Sequence, residues 1–294
     1  MVERLTTGRR VFVAVNYALL LFMSLLCLLP LIHVLSVSFS SSEAATAGLV
    51  KLWPVEFTAS SYQFVLAKPA FLTSVGVTLQ RVAIGVTVNM LLTILVAYPL
   101  SKEVTKFPYR TVYVWVFVIT ILFHGGLIPQ YMIVKYTGIM DTIWALVLPS
   151  VVPVFNVVLL LNFFRGLPKE LEEAAFIDGA GHWTTLWRVI VPLSAPALAT
   201  ITLFATVGHW NSWFDGLIFM NSPEHYPLQS YLQTVVINRD LSLVSSSDMK
   251  SLMEVSDRTA KAAQIFLGAL PILLVYPFLQ RFFMKGIVLG SVKE

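Results

Sequence analysis

Residues 11–37 contain no Asp, Glu, Lys or Arg. A bilayer's hydrocarbon layer is about 30 Å thick, and a helix rising about 1.5 Å per residue crosses it in about 20 residues. The run is long enough to span. It is too long for the core of a signal peptide, and no Ala-x-Ala-type site closes it, so it reads as a retained first transmembrane helix. Residues 71–100, 111–134, 143–164, 193–220 and 262–284 read as five more spans. The third is the weakest, because Gly125, Gly126 and Pro129 interrupt it. The expected fold class is an all-α polytopic membrane protein with six transmembrane helices, in a single domain over residues 1–294.

Composition agrees. Of the residues, 57% are hydrophobic and 12% charged, against about 25% charged in a soluble domain. The mean hydropathy is +0.78. The net charge of +4 is spread over loops, with no basic run interleaved with aromatics, so no nucleic-acid partner is expected. One set of loops and ends holds twelve basic residues, among them Arg9, Arg10, Lys102, Lys106, Arg110, Arg165, Lys169 and Arg188. The other set holds seven, among them Lys51, Lys68, Lys135 and Arg258. Positive loops stay inside, so both termini are expected in the cytoplasm, and residues 40–70 and 221–261 outside. The single cysteine, Cys27, permits no intramolecular disulfide and is expected to act as a small buried hydrophobe.

Catalytic patterns are missing from the sequence. It has no Gly-x4-Gly-Lys-Ser/Thr phosphate loop, no His-Glu-x2-His and no Gly-x-Ser-x-Gly, and its five histidines are scattered. An enzyme is not expected, nor a metal site.

The most polar run in the middle of the chain is residues 166–181. Pro168 suits a helix start, and Glu170, Glu172 and Glu173 follow where the positive end of the helix dipole favours carboxylates. Leu171, Ala174, Ala175 and Asp178 share one side at helical spacing. Gly179 and Gly181 supply the stop. The helix is too acidic to favour anionic lipid, as a basic interfacial helix would, and its small side chains leave room for a close partner.

Glu173-Ala174-Ala175, then Gly179, then Val189-Ile190-Val191-Pro192, resembles the EAA motif of the permease subunits of bacterial binding-protein-dependent ABC importers. The usual ending is Ile-x-Leu-Pro; Val189 and Val191 depart from it conservatively and Pro192 stays in register. Asp178-Gly179-Ala180, Ala97-Tyr98-Pro99-Leu100-Ser101 and Trp210-Asn211-Ser212-Trp213 are similar to segments of carbohydrate permeases. The segment from Pro271 through Lys285-Gly286 to Gly290-Ser291-Val292-Lys293 resembles the branch associated with oligosaccharides of complex polysaccharides.

The resemblance implies the ABC importer permease fold in the bacterial cytoplasmic (inner) membrane. It implies a coupling segment at about 166–192, with Glu173, Ala174, Ala175, Asp178 and Gly179 docking onto an ATPase. The implied partners are a second permease subunit, two cytoplasmic ATPase subunits, an extracytoplasmic solute-binding protein and an oligosaccharide. No cofactor is expected in this chain; ATP and Mg would bind the ATPases. The alternative is a polytopic membrane enzyme acting on lipid-linked sugars. Within the transporter reading, the substrate is an oligosaccharide, alternatively an acidic one such as an alginate or pectin fragment.

Arg81 lies deep in the second span, where a charge is costly and faces a cavity or a partner. It either lines the path, snorkels to the outer interface or pairs structurally with the partner permease. Trp210, Asn211, Trp213 and Asp215 form either a sugar pocket, with rings for stacking and polar groups for hydroxyls, or an interfacial aromatic belt.

Overall fold

The computed structural model describes residues 7–123, 125–236 and 256–291, with side chains described through residue 277 except that of residue 236. The outer-loop features Arg239, Asp240 and 245–247, and the closing Val292-Lys293, lie outside the described residues. All regular elements described are helical. The chain forms two compact units, residues 1–69 with 234–270 and residues 70–233 with 271–294.

In the first unit, α1 (Thr7–Ser38) is a 32-residue apolar helix. Nearly all of it is exposed, Cys27 included, which corrects the expectation of a buried thiol. In a membrane-spanning helix, exposure of an apolar group to hydrocarbon carries no cost. Only Ser36, Val37 and Ser38 are buried, where the chain leaves α1 and turns back on itself. Ser36 Oγ donates to Leu52 O at 2.7 Å, Ser40 Oγ accepts from Val55 N at 3.0 Å, and Phe39 stacks on Phe57 at 5.2 Å. The short helices α2 (Ser42–Thr46) and α3 (Ser60–Leu66) follow. Val37, Ala44, Ala45, Val50 and Ala262 form a small core. The last helix, α14 (Asp257–Ser291), is held at its start by Ser256 N donating to Ser42 Oγ at 2.7 Å and Arg258 Nη1 to Ala45 O at 3.1 Å.

In the second unit, α4 (Pro69–Ser101) is a single 33-residue helix. Its buried stripe runs Phe71, Ser74, Thr78, Arg81, Gly85, Asn89, Thr93 and Ala97, one residue every three or four. The stripe is small and polar while Leu72, Leu79 and Leu91 face outward. This inverts the soluble pattern, as expected where lipid is as apolar as leucine and helices associate through close packing and hydrogen bonds. Near Lys102, Ile94, Ala97 and Leu100 pack against Val157, Leu160, Leu161 and Phe164 of α8 (Val154–Gly166) and Ile201 of α11 (Ala195–Asn211).

The remaining predicted spans are broken. The third consists of α5 (Arg110–Leu122) and α6 (Leu127–Tyr136), flanking Gly125 and Gly126 as their interruption predicts; Gly126 has φ +88°. The fourth is corrected from one helix to α7 (Ile143–Val147) and α8, with a 52° bend at Pro149 and Pro153, whose rings supply no N–H to the ladder. The fifth is corrected to end at Asn211, in α11, with α12 (Phe214–Phe219) a separate short helix; α11 is long enough to cross only together with the helix that precedes it. Ahead of it, α10 (His182–Leu193) meets α11 at 82°. Residues Leu186–Ile190 of α10 are wound as a π-helix, which accommodates Pro192, whose ring crowds the carbonyl four residues earlier. Among the described residues, three single helices are long and apolar enough to cross a membrane, or six if each of three bent pairs is one span. The exposed helix α9 (Lys169–Ile177), the largely buried helix α13 (Leu228–Val236) and two 3-10 turns at Leu148–Ser150 and Pro223–His225 complete the described set.

A polar tie fixes the turn between α6 and α7. Asp141 has φ +60°, and its Oδ1 accepts from the N–H groups of Asn221 (2.9 Å) and Ser222 (3.4 Å) and lies 2.9 Å from His225 Nδ1. The hydrogen bond from His225 holds the Asp141 carboxyl below its ordinary range.

Candidate functional site

Two clusters in the second unit bring together the residues singled out by sequence. The first surrounds Arg81, about three turns into α4. Its side chain is 1% exposed. Nη1 donates to Asp215 Oδ1 at 3.1 Å and Nη2 to Asp215 Oδ2, a two-pronged ion pair. Nη2 also donates to Leu146 O at 3.2 Å, Nη1 to Ser212 O at 3.4 Å, and Nε to His209 Nδ1 at 3.5 Å.

The acceptors explain the arginine. Leu146 lies in the last turn of α7 and Ser212 caps α11, positions where a helix runs out of N–H donors for its carbonyls. In hydrocarbon each carbonyl would cost several kcal/mol unpaired. Arg81 satisfies both helix ends at once. Asp215 stands in the first turn of α12, where it also accepts from Ser212 Oγ and its neighbour Gly216 N–H, both at 2.9 Å. The clasp thus ties α4 to α7, α11 and α12. Accepting from Nε requires His209 Nδ1 to be unprotonated. Gly85 lies against the same ring; a Cβ there would be 2.5 Å from His209 Nε2.

Of the other predicted path residues, Trp210 is buried at 4% exposure, Asn211 is exposed, and Trp213 is exposed with its ring 5.5 Å from that of Phe214. Asn211 and Trp213 therefore present surface beside the clasp, whereas Arg81 is occupied by protein acceptors. His209 was not singled out by sequence, although a histidine in an apolar span is itself a signal.

The second cluster is built on α9. Pro168 caps its start, and its first turn carries Glu170 and Glu172. Its end is a Schellman turn: Ala180 N donates to Ala175 O at 2.9 Å and Gly179 N to Phe176 O at 3.0 Å, with Gly179 at φ +80°. Glu173, Ala174, Asp178 and Gly179 are exposed and Ala175 half-buried. Ile177, which the sequence reading passed over, is 86% exposed between them. No atom lies within 4 Å of a Cβ placed on Gly179. This protruding face combines acid, small and apolar groups.

The opposite face of α9 meets the end of α4. Lys102 Nζ donates to Glu172 Oε2 at 2.6 Å, with side chains only 11% and 14% exposed, and lies 3.9 Å from the centre of the Tyr98 ring. Burial holds the Lys102 amine below its ordinary range, opposed by the Glu172 carboxylate. A second pair joins Lys169 to Glu103, exposed at 70% and 54%; Lys169 holds the Glu103 carboxyl below its usual range. Among the described residues, no group of three His, Cys, Asp or Glu could hold a metal ion.

The profile of the family described as "Binding-protein-dependent transport system inner membrane component" matches residues 5–288. The chain belongs to that family. The permease is 38% identical over 288 residues to Protein LplC of Bacillus subtilis (strain 168), covering 98% of this chain and 97% of that one. It is 37% identical over 284 residues to the polygalacturonan/rhamnogalacturonan transport system permease protein YtcP of the same organism, covering 97% and 99%. Among solved structures it resembles a chain of a bacterial ABC transporter involved in the import of the acidic polysaccharide alginate. The TM-score is 0.88 at 32% identity, over 96% of this chain and 99% of that one. The six-span permease fold and its role as a membrane component of an ABC importer follow.

Proposed function

We propose that the permease forms, with a second permease subunit, the path through which an oligosaccharide enters the cell, and that the substrate is acidic. The observation that carries this reading is the near full-length likeness to two systems whose names specify acidic polymers, YtcP and the alginate importer. Two cytoplasmic ATPases bind ATP and Mg, and one docks on the exposed face of Glu173, Ala174, Ile177, Asp178 and Gly179. An extracytoplasmic binding protein delivers the substrate, and both termini lie in the cytoplasm, as the basic loops indicate.

Their different exposure supports two roles for the path residues. Trp213 and Asn211, exposed at the end of α11, offer a ring to stack on a sugar face and an amide to bond hydroxyls. Arg81, Asp215 and Trp210 hold that surface in place from behind.

The test is affinity purification through this chain from membranes of its source. An ATPase subunit and a second permease are expected to copurify, and the complex is expected to hydrolyse ATP faster when its binding protein is loaded with an oligogalacturonate or oligoalginate than with a neutral oligosaccharide. Purification of this chain without an ATPase contradicts the assembly; stimulation by neutral sugars alone contradicts the acidic substrate.

A further inference from the structure

We propose that Glu172 and Lys102 are a positioning pair that fastens α9 to α4, so that displacement of α9 carries α4 with it as one body. The inference rests on the reading of α9 as the ATPase docking segment. It goes further in naming the joint through which docking acts.

Two ion pairs link α9 to the end of α4, and they are not equivalent. Lys169–Glu103 is open to water, where a pair contributes about 0–1 kcal/mol, so it yields readily under load. Lys102–Glu172 is enclosed, at 2.6 Å, and separating it would strand a buried charge. Its surroundings close into a ring of contacts. Lys102 rests on the Tyr98 ring, the Tyr98 hydroxyl lies 3.5 Å from His182 Nδ1, and the His182 ring stands 5.0 Å from that of Phe176, back on α9. The helix α9 is thus gripped at Glu172 and at Phe176, one turn apart and on the same side. Beyond the joint, α4 runs as a single helix to Pro69 and carries Arg81. A push on the exposed face of α9 therefore reaches the clasp that binds α4 to α7, α11 and α12. Glu172 touches neither substrate nor nucleotide in this scheme; it acts through Lys102.

The experiment uses the full complex, purified with its ATPases, with spin labels at the exposed positions Glu170 on α9 and Leu79 on α4. The distance between labels is measured without nucleotide and after trapping with ADP and orthovanadate. In the otherwise wild-type chain and in Lys102→Arg, which retains charge and ring contact, the distance is expected to stay constant. In Glu172→Ala it is expected to shift by a few ångströms on trapping, with the ATPases still bound, and transport per ATP to fall about tenfold, within the range seen for coupling variants. Glu172→Gln keeps the shape while removing the charge, and is expected to show the same shift if Glu172→Ala does not assemble. A constant distance in both Glu172 variants overturns the proposal, as does a shift in the wild-type pair. Failure of the ATPases to bind the wild-type chain instead removes the docking reading on which it stands.

Discussion

Asp215→Ala is expected to cost the permease about 3–5 kcal/mol, the range for removing one partner of a buried ion pair. Arg81 would keep its charge at 1% exposure, with only carbonyls and an imidazole to accept from it. The expected observation is a sharply lower yield of folded protein in the membrane and a shorter half-life on heating in detergent. Asp215→Asn, which keeps one acceptor oxygen, should fall between the variant and wild type. Removing both charges, as in Arg81→Met with Asp215→Leu, should recover part of the loss. Recovery is incomplete because Leu146 O and Ser212 O would lose their donor, at about 1–3 kcal/mol for each buried group left unpaired. A stable Asp215→Ala protein that fails only in transport would contradict the clasp and make Asp215 a substrate residue.

Gly179→Trp is expected to abolish transport while leaving insertion intact. The glycine sits at φ +80° with open space around it, so an indole there would stand out from the docking face. The backbone conformation complicates the test, since any L-residue pays about 1–2 kcal/mol in the left-handed region. Gly179→Ala carries the same strain without the bulk. Alanine should therefore retain most uptake and ATPase copurification, and tryptophan should lose both. Equal loss in the two variants would assign Gly179 to the Schellman turn alone.

Much of this was legible in the sequence, for identifiable reasons. The ends of α9 are written in Pro168 and Gly179, because their conformational demands are local. The depth of Arg81 follows from residue counting along an apolar run. Its partners do not, since His209 and Asp215 are far along the chain and only the fold brings them to α4. The bend in the fourth span escapes hydropathy, which averages over it, although Pro149 and Pro153 mark the place; the end of the fifth at Asn211 carries no proline signal. Glu172 and Lys102 were hidden differently. Each looks like an ordinary charge at a membrane surface, and only the packing of Tyr98 and His182 encloses them. Cys27 is exposed rather than buried because burial of free cysteine is a trend of soluble cores, and an apolar group in a span needs no protein around it.

The most direct measurement is uptake into proteoliposomes that contain the permease, its copurified partner permease and ATPases, with binding protein and radiolabelled trigalacturonate outside and ATP inside. Accumulation of the uronate that requires ATP, is lost with Gly179→Trp and is not competed by neutral trisaccharides is the predicted result. ATP-independent equilibration, or ATP-driven accumulation of neutral sugars in preference to uronates, would contradict it.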